Sequence, residues 1–224
     1  MKLVCIIGID GTGKTTLASN AAAALRGQGQ PAASIYGRTY PVISRALMAL
    51  GRMTLLRKEN QWRDYTGYTA TKKRTMRNPL FAWIYTAAIL LDYYVQIWLK
   101  LLPHLASRRI VVSDRYVYDT VISDLAVHLN YTAAHTERAI RWGLCFMPKP
   151  LLTILIDVPE EIAFSRKDDV VHIDYLKERR GWYLALRDRP EVVLFDGQAS
   201  PETLVKSLVR EISARKPLVV GGAL

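Results

Sequence analysis

Gly8-Ile9-Asp10-Gly11-Thr12-Gly13-Lys14-Thr15, with Thr16 behind it, satisfies the pattern G-x-x-x-x-G-K-S/T at every fixed position. The residues on either side fit what that pattern needs. Lys2 to Ile7 is a short apolar, β-branched run that reads as a buried strand, and Thr16 to Leu25 is rich in strong helix formers. A glycine-rich turn between strand and helix can point successive backbone N–H groups inward at the positive end of the helix, which makes an anion nest. Lys14 adds a full charge where β- and γ-phosphates would lie, and the Thr15 hydroxyl is placed to join the shell of a Mg²⁺ ion. The stretch therefore predicts an α/β fold that holds a polyphosphate.

The chain's 224 residues fit one α/β domain, taken as 1–215 with a tail over 216–224. A formal charge of +11 admits three partners: a phosphate-rich small substrate, nucleic acid, or an anionic membrane surface. The cations are spread through loops without a known recognition module, so nucleic acid is not expected. Cys5 and Cys145 make neither a disulfide framework nor a metal site, and His104, His128 and His135 lack ligand spacing. With the first strand starting at Lys2, no signal peptide is expected, and a reducing cytoplasm is the natural compartment.

Further strands are expected at 32–37, 109–113, 151–157 and 192–197. Arg38 follows the second strand, at the end where open α/β sheets place ligands, and reads either as a clamp for an acceptor anion or as a solvated loop residue. Residues 51–79 form a polar, basic excursion. Residues 80–105 are long and apolar enough to span a bilayer, but Asp92 at their centre favours a core helix. Trp83 and Trp98 leave open a peripheral membrane contact through 80–105.

Asp114 at the tip of the third strand suits a Mg²⁺-organising carboxylate, and Arg115 beside it suits a phosphoryl group; a surface Asp–Arg pair is the rival reading. Two helices are expected from Tyr118 to Phe146, broken near Asn130 with Thr132 as a cap. A helix follows Pro159. Arg166, Lys167, Arg179 and Arg180 flank the polar Asp168-Asp169-Val170-Val171-His172, so 166–180 reads as a short basic lid or as a salt-bridged surface. Ser200-Pro201-Glu202 opens a last helix.

Taken together, the glycine loop, Asp114-Arg115-Tyr116, Asp157-Val158-Pro159 followed by Arg166, and Arg180 three residues before Tyr183 resemble the thymidylate kinase family of P-loop nucleoside monophosphate kinases. The resemblance covers nearly the whole chain. It implies a five-stranded parallel sheet with helices on both faces and transfer of the ATP γ-phosphoryl group to a nucleoside monophosphate, dTMP by default. By the same resemblance Gly8, Asp10, Gly11, Thr12, Gly13, Lys14, Thr15 and Thr16 hold ATP, Thr15 ligates Mg²⁺, and Asp114 supports the metal through water. Arg38, Asp92, Arg115 and Tyr116 become the acceptor side, with Asp10 near the acceptor sugar and metal. Thr12 stands where some members carry an arginine, a charge that Arg166 with Arg179 or Arg180 would supply. Lys14, Asp10, Arg115 and Arg166 are thus the catalytic candidates, and a homodimer is implied.

The acceptor side departs from that pattern. Ile89-Leu90-Leu91-Asp92-Tyr93 replaces the family's Phe and Asp-Arg pair, leaving Tyr85, Tyr93 or Tyr94 as candidates to stack on a base, and the usual Gln after Asp-Arg-Tyr is missing. Two other functions stay open: a kinase of a non-nucleotide or membrane-associated metabolite, and an ATP-binding switch with little turnover that engages a membrane or partner.

Overall fold

Residues Leu3 to Ile7 are almost wholly screened from solvent, and their strand, β1 (Lys2–Ile7), holds the middle of a five-stranded sheet. β2 (Ala32–Tyr36), β3 (Ile110–Asp114), β4 (Leu152–Asp157) and β5 (Val192–Asp196) complete it in the order β2-β3-β1-β4-β5, every pairing parallel. Helices cover parallel strands on their faces, which is why β1, β3 and β4 read as continuous apolar runs rather than alternating ones. The structure, a computed structural model, describes residues 1–40, 42, 44, 45, 49, 71, 73–107, 109–167 and 172–215. Most of the basic excursion at 51–79, the link Asp168 to Val171 and the tail at 216–224 lie outside the described residues.

Local signals set the helix ends. α1 (Lys14–Gly27) starts on the glycine loop and turns Leu17, Ala18, Ala21, Ala22 and Leu25 inward, its small residues allowing close approach to β2 and β3. α2 (Pro79–Leu105) is capped by the Asn78 side chain, which accepts from the Leu80 N–H. After β3 the chain winds through single α-turns at Val117–Asp119 and Val127–Leu129 around a π-helical stretch, Thr120–Ala126; together these are α3. Asn130, left-handed at φ 52°, ends it, and Thr132 caps α4 (Ala133–Cys145), the break and cap expected from sequence. α5 (Glu160–Ser165) follows Pro159, α6 (Ile173–Leu184) follows the undescribed link, and α7 (Pro201–Ala214) is capped by Ser200.

The register aligns the strand ends. Asp114 lies opposite both Ile6 and Tyr36, Ile7 opposite Leu155, and Asp157 opposite Asp196. The glycine loop, Gly37-Arg38, Asp114-Arg115 and Gly197 therefore all emerge at one edge, where the order of strands reverses around β1 and open α/β sheets form their ligand crevice.

α2 meets the core-helix expectation along one stripe only. Tyr85, Asp92, Tyr93, Ile97 and Leu101 recur at helical spacing and are buried, whereas Leu80, Trp83, Leu91, Val95, Leu99 and Leu102 are exposed. Its most apolar window passes the length and hydropathy test for a membrane span, and 22% of that window is buried. Trp142 and Phe146, stacked at the end of α4, are exposed apolar groups as well.

Candidate active site

The loop between β1 and α1 has the backbone of an anion nest. Gly11 and Gly13 take φ of 87° and 83°, and a Cβ at Gly11 would lie 2.2 Å from the Ala163 carbonyl oxygen, so both conformation and contact exclude a side chain there. The Thr12 hydroxyl donates to the Ile9 carbonyl at 3.0 Å, and Lys14 Nζ donates to the same oxygen at 2.5 Å. Lys14 is only 5% exposed. Burial pushes its ammonium down to about 8, with Arg115 adding to the effect and Asp10, Asp119 and Asp114 opposing it. A cation so desolvated gains strongly from an anionic partner.

Thr15 and Asp114 meet at the front of this loop. The Thr15 hydroxyl donates to Asp114 Oδ2 at 2.5 Å, while Asp114 Oδ1 is buried without a hydrogen bond among the described residues. Paired hydroxyl and carboxylate oxygens, one of them unsatisfied, suit a hard divalent cation that keeps part of its water. The residues present therefore fit Mg²⁺, which Thr15 and Asp114 would hold between them.

Arg115 is the centre of the other half. Its backbone is left-handed at φ 73°, a conformation that costs on the order of 1–3 kcal/mol for a non-glycine residue. Three contacts hold it: its N–H donates to the Ile6 carbonyl at 2.9 Å, its own carbonyl accepts from the Ser113 hydroxyl at 2.6 Å, and Gly37 lies beneath. A Cβ at Gly37 would come within 2.0 Å of the Arg115 carbonyl oxygen, so β2 can end here only on glycine. The guanidinium forks between two carboxylates, Nη2 donating to Asp10 and Nη1 to Asp119 at 3.0 Å. Its Nε is buried with no partner among the described residues.

Further groups complete this network. Tyr175 Oη donates to Asp10 Oδ2 at 3.3 Å, Tyr183 Oη to Asp119 at 2.6 Å, and Arg38 pairs with Asp124 at 3.2 Å. Burial alone would raise the Asp10 carboxyl, but Arg115, Lys14 and Arg38 overcome it and hold the group well below the usual carboxylate range.

Other expected site residues go elsewhere. Asp92 is buried and accepts from the Ser44 N–H at 2.7 Å, the Ser44 hydroxyl at 2.6 Å and the Val42 N–H at 3.2 Å, so it holds Val42 and Ser44 against α2. Tyr116 is wholly buried in the core, its ring against Tyr93 and its hydroxyl donating to the Pro148 carbonyl. Arg180 grips both oxygens of Asp157, at 2.7 and 2.9 Å, and Glu160 at 2.6 Å, which fastens α6 to the end of β4 and takes up the fork expected for phosphate.

Arg179 is buried, stacked 3.6 Å over the Tyr175 ring, and donates to the Ser123 carbonyl. Arg166 is exposed and donates to the Gly197 carbonyl at 3.2 Å; Lys167 and Thr16 are exposed. Among the stacking candidates, Tyr93 is a core residue, Tyr94 packs on Phe146, and Tyr85 donates to the Asp124 carbonyl at 3.1 Å, next to Arg38's partner.

Sequence reading missed Asp119, Asp124, Tyr175 and Tyr183. A signal was present: Val117 to Val127 is a mostly apolar run with two carboxylates in it, and carboxylates in a buried run need cations.

No family model matches the chain. It is 26% identical over 223 residues, covering 94% of its own length and 93% of the relative's, to a probable thymidylate kinase of Archaeoglobus fulgidus. That likeness supports a distant relationship to the thymidylate kinases and a kinase-type enzyme, and the parallel sheet with its flanking helices is consistent with a P-loop kinase fold.

Proposed function

We propose that the chain is an ATP-dependent nucleoside monophosphate kinase, with dTMP as its default acceptor. The observation that carries this reading is the joining of Lys14, Asp10 and Arg115 in one buried charge cluster, phosphate nest on one side and a strained arginine on the other. Loop amides and Lys14 hold the β- and γ-phosphates, and Thr15 with Asp114 holds Mg²⁺. When bound, the ion neutralises charge on the phosphate oxygens. Arg115 brings its guanidinium charge to the acceptor phosphate, Arg38 adds a second cation, and Arg166 approaches from the α5 side. Phosphoryl transfer needs alignment and charge neutralisation more than a dedicated base, and no base is assigned.

A coupled ADP-release assay over dTMP, dUMP, UMP, CMP and simple alcohols tests it. The expected result is turnover with a pyrimidine monophosphate and none with alcohols. Turnover with alcohols alone would favour the membrane-metabolite kinase, to which the exposed face of α2 lends some support. Background ADP with every acceptor, together with ATP-responsive binding to anionic vesicles, would favour the switch.

We further propose that a second copy of the chain covers the exposed face of α2, and that the enzyme works in the cytoplasm. An apolar stripe of this length is large for a free surface, and a helix face can pair with itself about a two-fold axis. Leu99→Asp is expected to convert a dimer to a monomer in light scattering. A wild-type monomer that binds vesicles through this face would overturn the assignment.

A further inference from the structure

We propose that the π-helical stretch Thr120–Ala126 is a register device for acceptor binding: it places Asp119 and Asp124 so that each holds one arginine, making Asp124 the positioning residue for Arg38. The inference rests on the reading of Arg38 and Arg115 as acceptor-side cations. In an α-helix, residues five apart diverge by about 140° around the axis, so the two carboxylates would face different neighbours. A π-turn, whose hydrogen bonds run from i to i+5, brings residues five apart toward one side; such turns are rare and frequent at functional sites. Here Asp119 Oδ1 lies 3.0 Å from Arg115 Nη1 and Asp124 Oδ1 lies 3.2 Å from Arg38 Nη2.

Neighbouring elements hold the stretch in that register. Tyr85 of α2 donates to the Asp124 carbonyl at 3.1 Å, Arg179 of α6 to the Ser123 carbonyl at 3.3 Å, and Tyr183 of α6 to Asp119 at 2.6 Å. One turn thus links α2, α6, the loop after β2 and the tip of β3.

The exposure of the second pair decides what it is for. Arg38 and Asp124 side chains are 29% and 26% exposed, and a pair that solvent reaches adds little to folding. It can still fix a long side chain that would otherwise be ordered at the cost of substrate affinity. Asp124 therefore acts through Arg38 on the acceptor rather than on the stability of the domain.

The test compares wild type, Asp124→Asn, Arg38→Ala and the double variant as full chains. Asp124→Asn is expected to raise the acceptor KM about tenfold, or ~1.4 kcal/mol, with the KM for ATP unchanged, and the double variant to be no worse than Arg38→Ala alone. Additive losses, or equal losses toward ATP, would overturn it. A second readout needs no acceptor: the Arg38 Nη2–H resonance, the one that donates to Asp124 and assigned with Arg38→Lys, is expected to be slow to exchange in wild type and to broaden in Asp124→Asn. An unchanged resonance would overturn the proposal. If wild type phosphorylates no nucleoside monophosphate, the kinase reading fails, and this resonance alone decides whether Asp124 holds Arg38.

Discussion

Replacing Lys14 with alanine is expected to lower turnover by roughly a thousand-fold or more, about 4 kcal/mol of barrier, in a protein that remains folded. The loss follows from position: this ammonium sits in the glycine nest, only 5% exposed, where charge developing on transferred phosphate oxygens meets little competing solvent. Survival of the fold follows from the same burial. A lysine whose folded pKa is pushed down to about 8 is penalised for carrying its charge, so between pH 8 and its unfolded value the unfolded chain binds more protons. At neutral pH its own ionisation opposes folding, which offsets the loss of one of the cations that hold Asp10 ionised, while Arg115 and Arg38 remain beside that carboxyl. Coupled ADP release and a thermal melt on Lys14→Ala check both halves. Near-normal turnover by a folded variant would remove Lys14 from the machinery.

The parts of this arrangement that were legible beforehand are those carried by neighbours in the chain. Strand β1 and the loop after it, the Asn130 break, the Thr132 and Ser200 caps and the proline before α5 are all local signals, and each falls where the residues place it. The network around Arg115, to which acceptor binding is proposed, is built from contacts remote in sequence. Arg38 meets Asp124, 86 positions away, and Tyr175 meets Asp10 across 165, pairings that only the sheet order creates. Nothing in residues 120–126 announces a π-turn, so the apolar run says that Asp119 and Asp124 need cations but not which ones.

Asp92 and Tyr116 show the same limit. The expectation put both on the acceptor side, but a place along a helix or loop does not fix where the side chain points. Asp92 points to Ser44 and Tyr116 into the core. Likewise the apolar residues of α2 exceed what one buried stripe needs, and the Asp92 that favoured a core helix says nothing of the opposite face.

Arg115→Ala is expected to fail twice, in catalysis and in folding, and the two failures can be separated. Toward the acceptor, kcat/KM should fall by roughly a hundred- to a thousand-fold, with ATP affinity little changed, because the guanidinium is held between Asp10 and Asp119 and the proposed function gives it the acceptor phosphate while the loop amides and Lys14 take ATP. Arg115→Lys keeps the charge but cannot fork to Asp10 and Asp119, so it should recover little of that loss. Stability should drop in the alanine variant by about 3–5 kcal/mol, since Asp119, 1% exposed, and Asp10 lose their shared cation. The pH dependence identifies this cause. In wild type Asp10 is held well below its unfolded value, so its contribution is present above the ordinary carboxylate range and lost only as pH falls toward the depressed folded value. Burial already raises the Asp119 carboxyl in wild type, against the pull of Arg115 and Lys14. Without Arg115 it rises further, and Asp10 loses the largest of its lowering partners, a shift whose penalty is felt at neutral pH and relieved as the carboxyls protonate in acid. The melting temperature of Arg115→Ala should therefore draw closer to wild type between pH 7 and pH 5, and adding Asp119→Asn should restore part of it at pH 7. A gap that stays constant with pH, or equal losses for ATP and acceptor, would show that Arg115 is not the cation on which this half of the site is assembled.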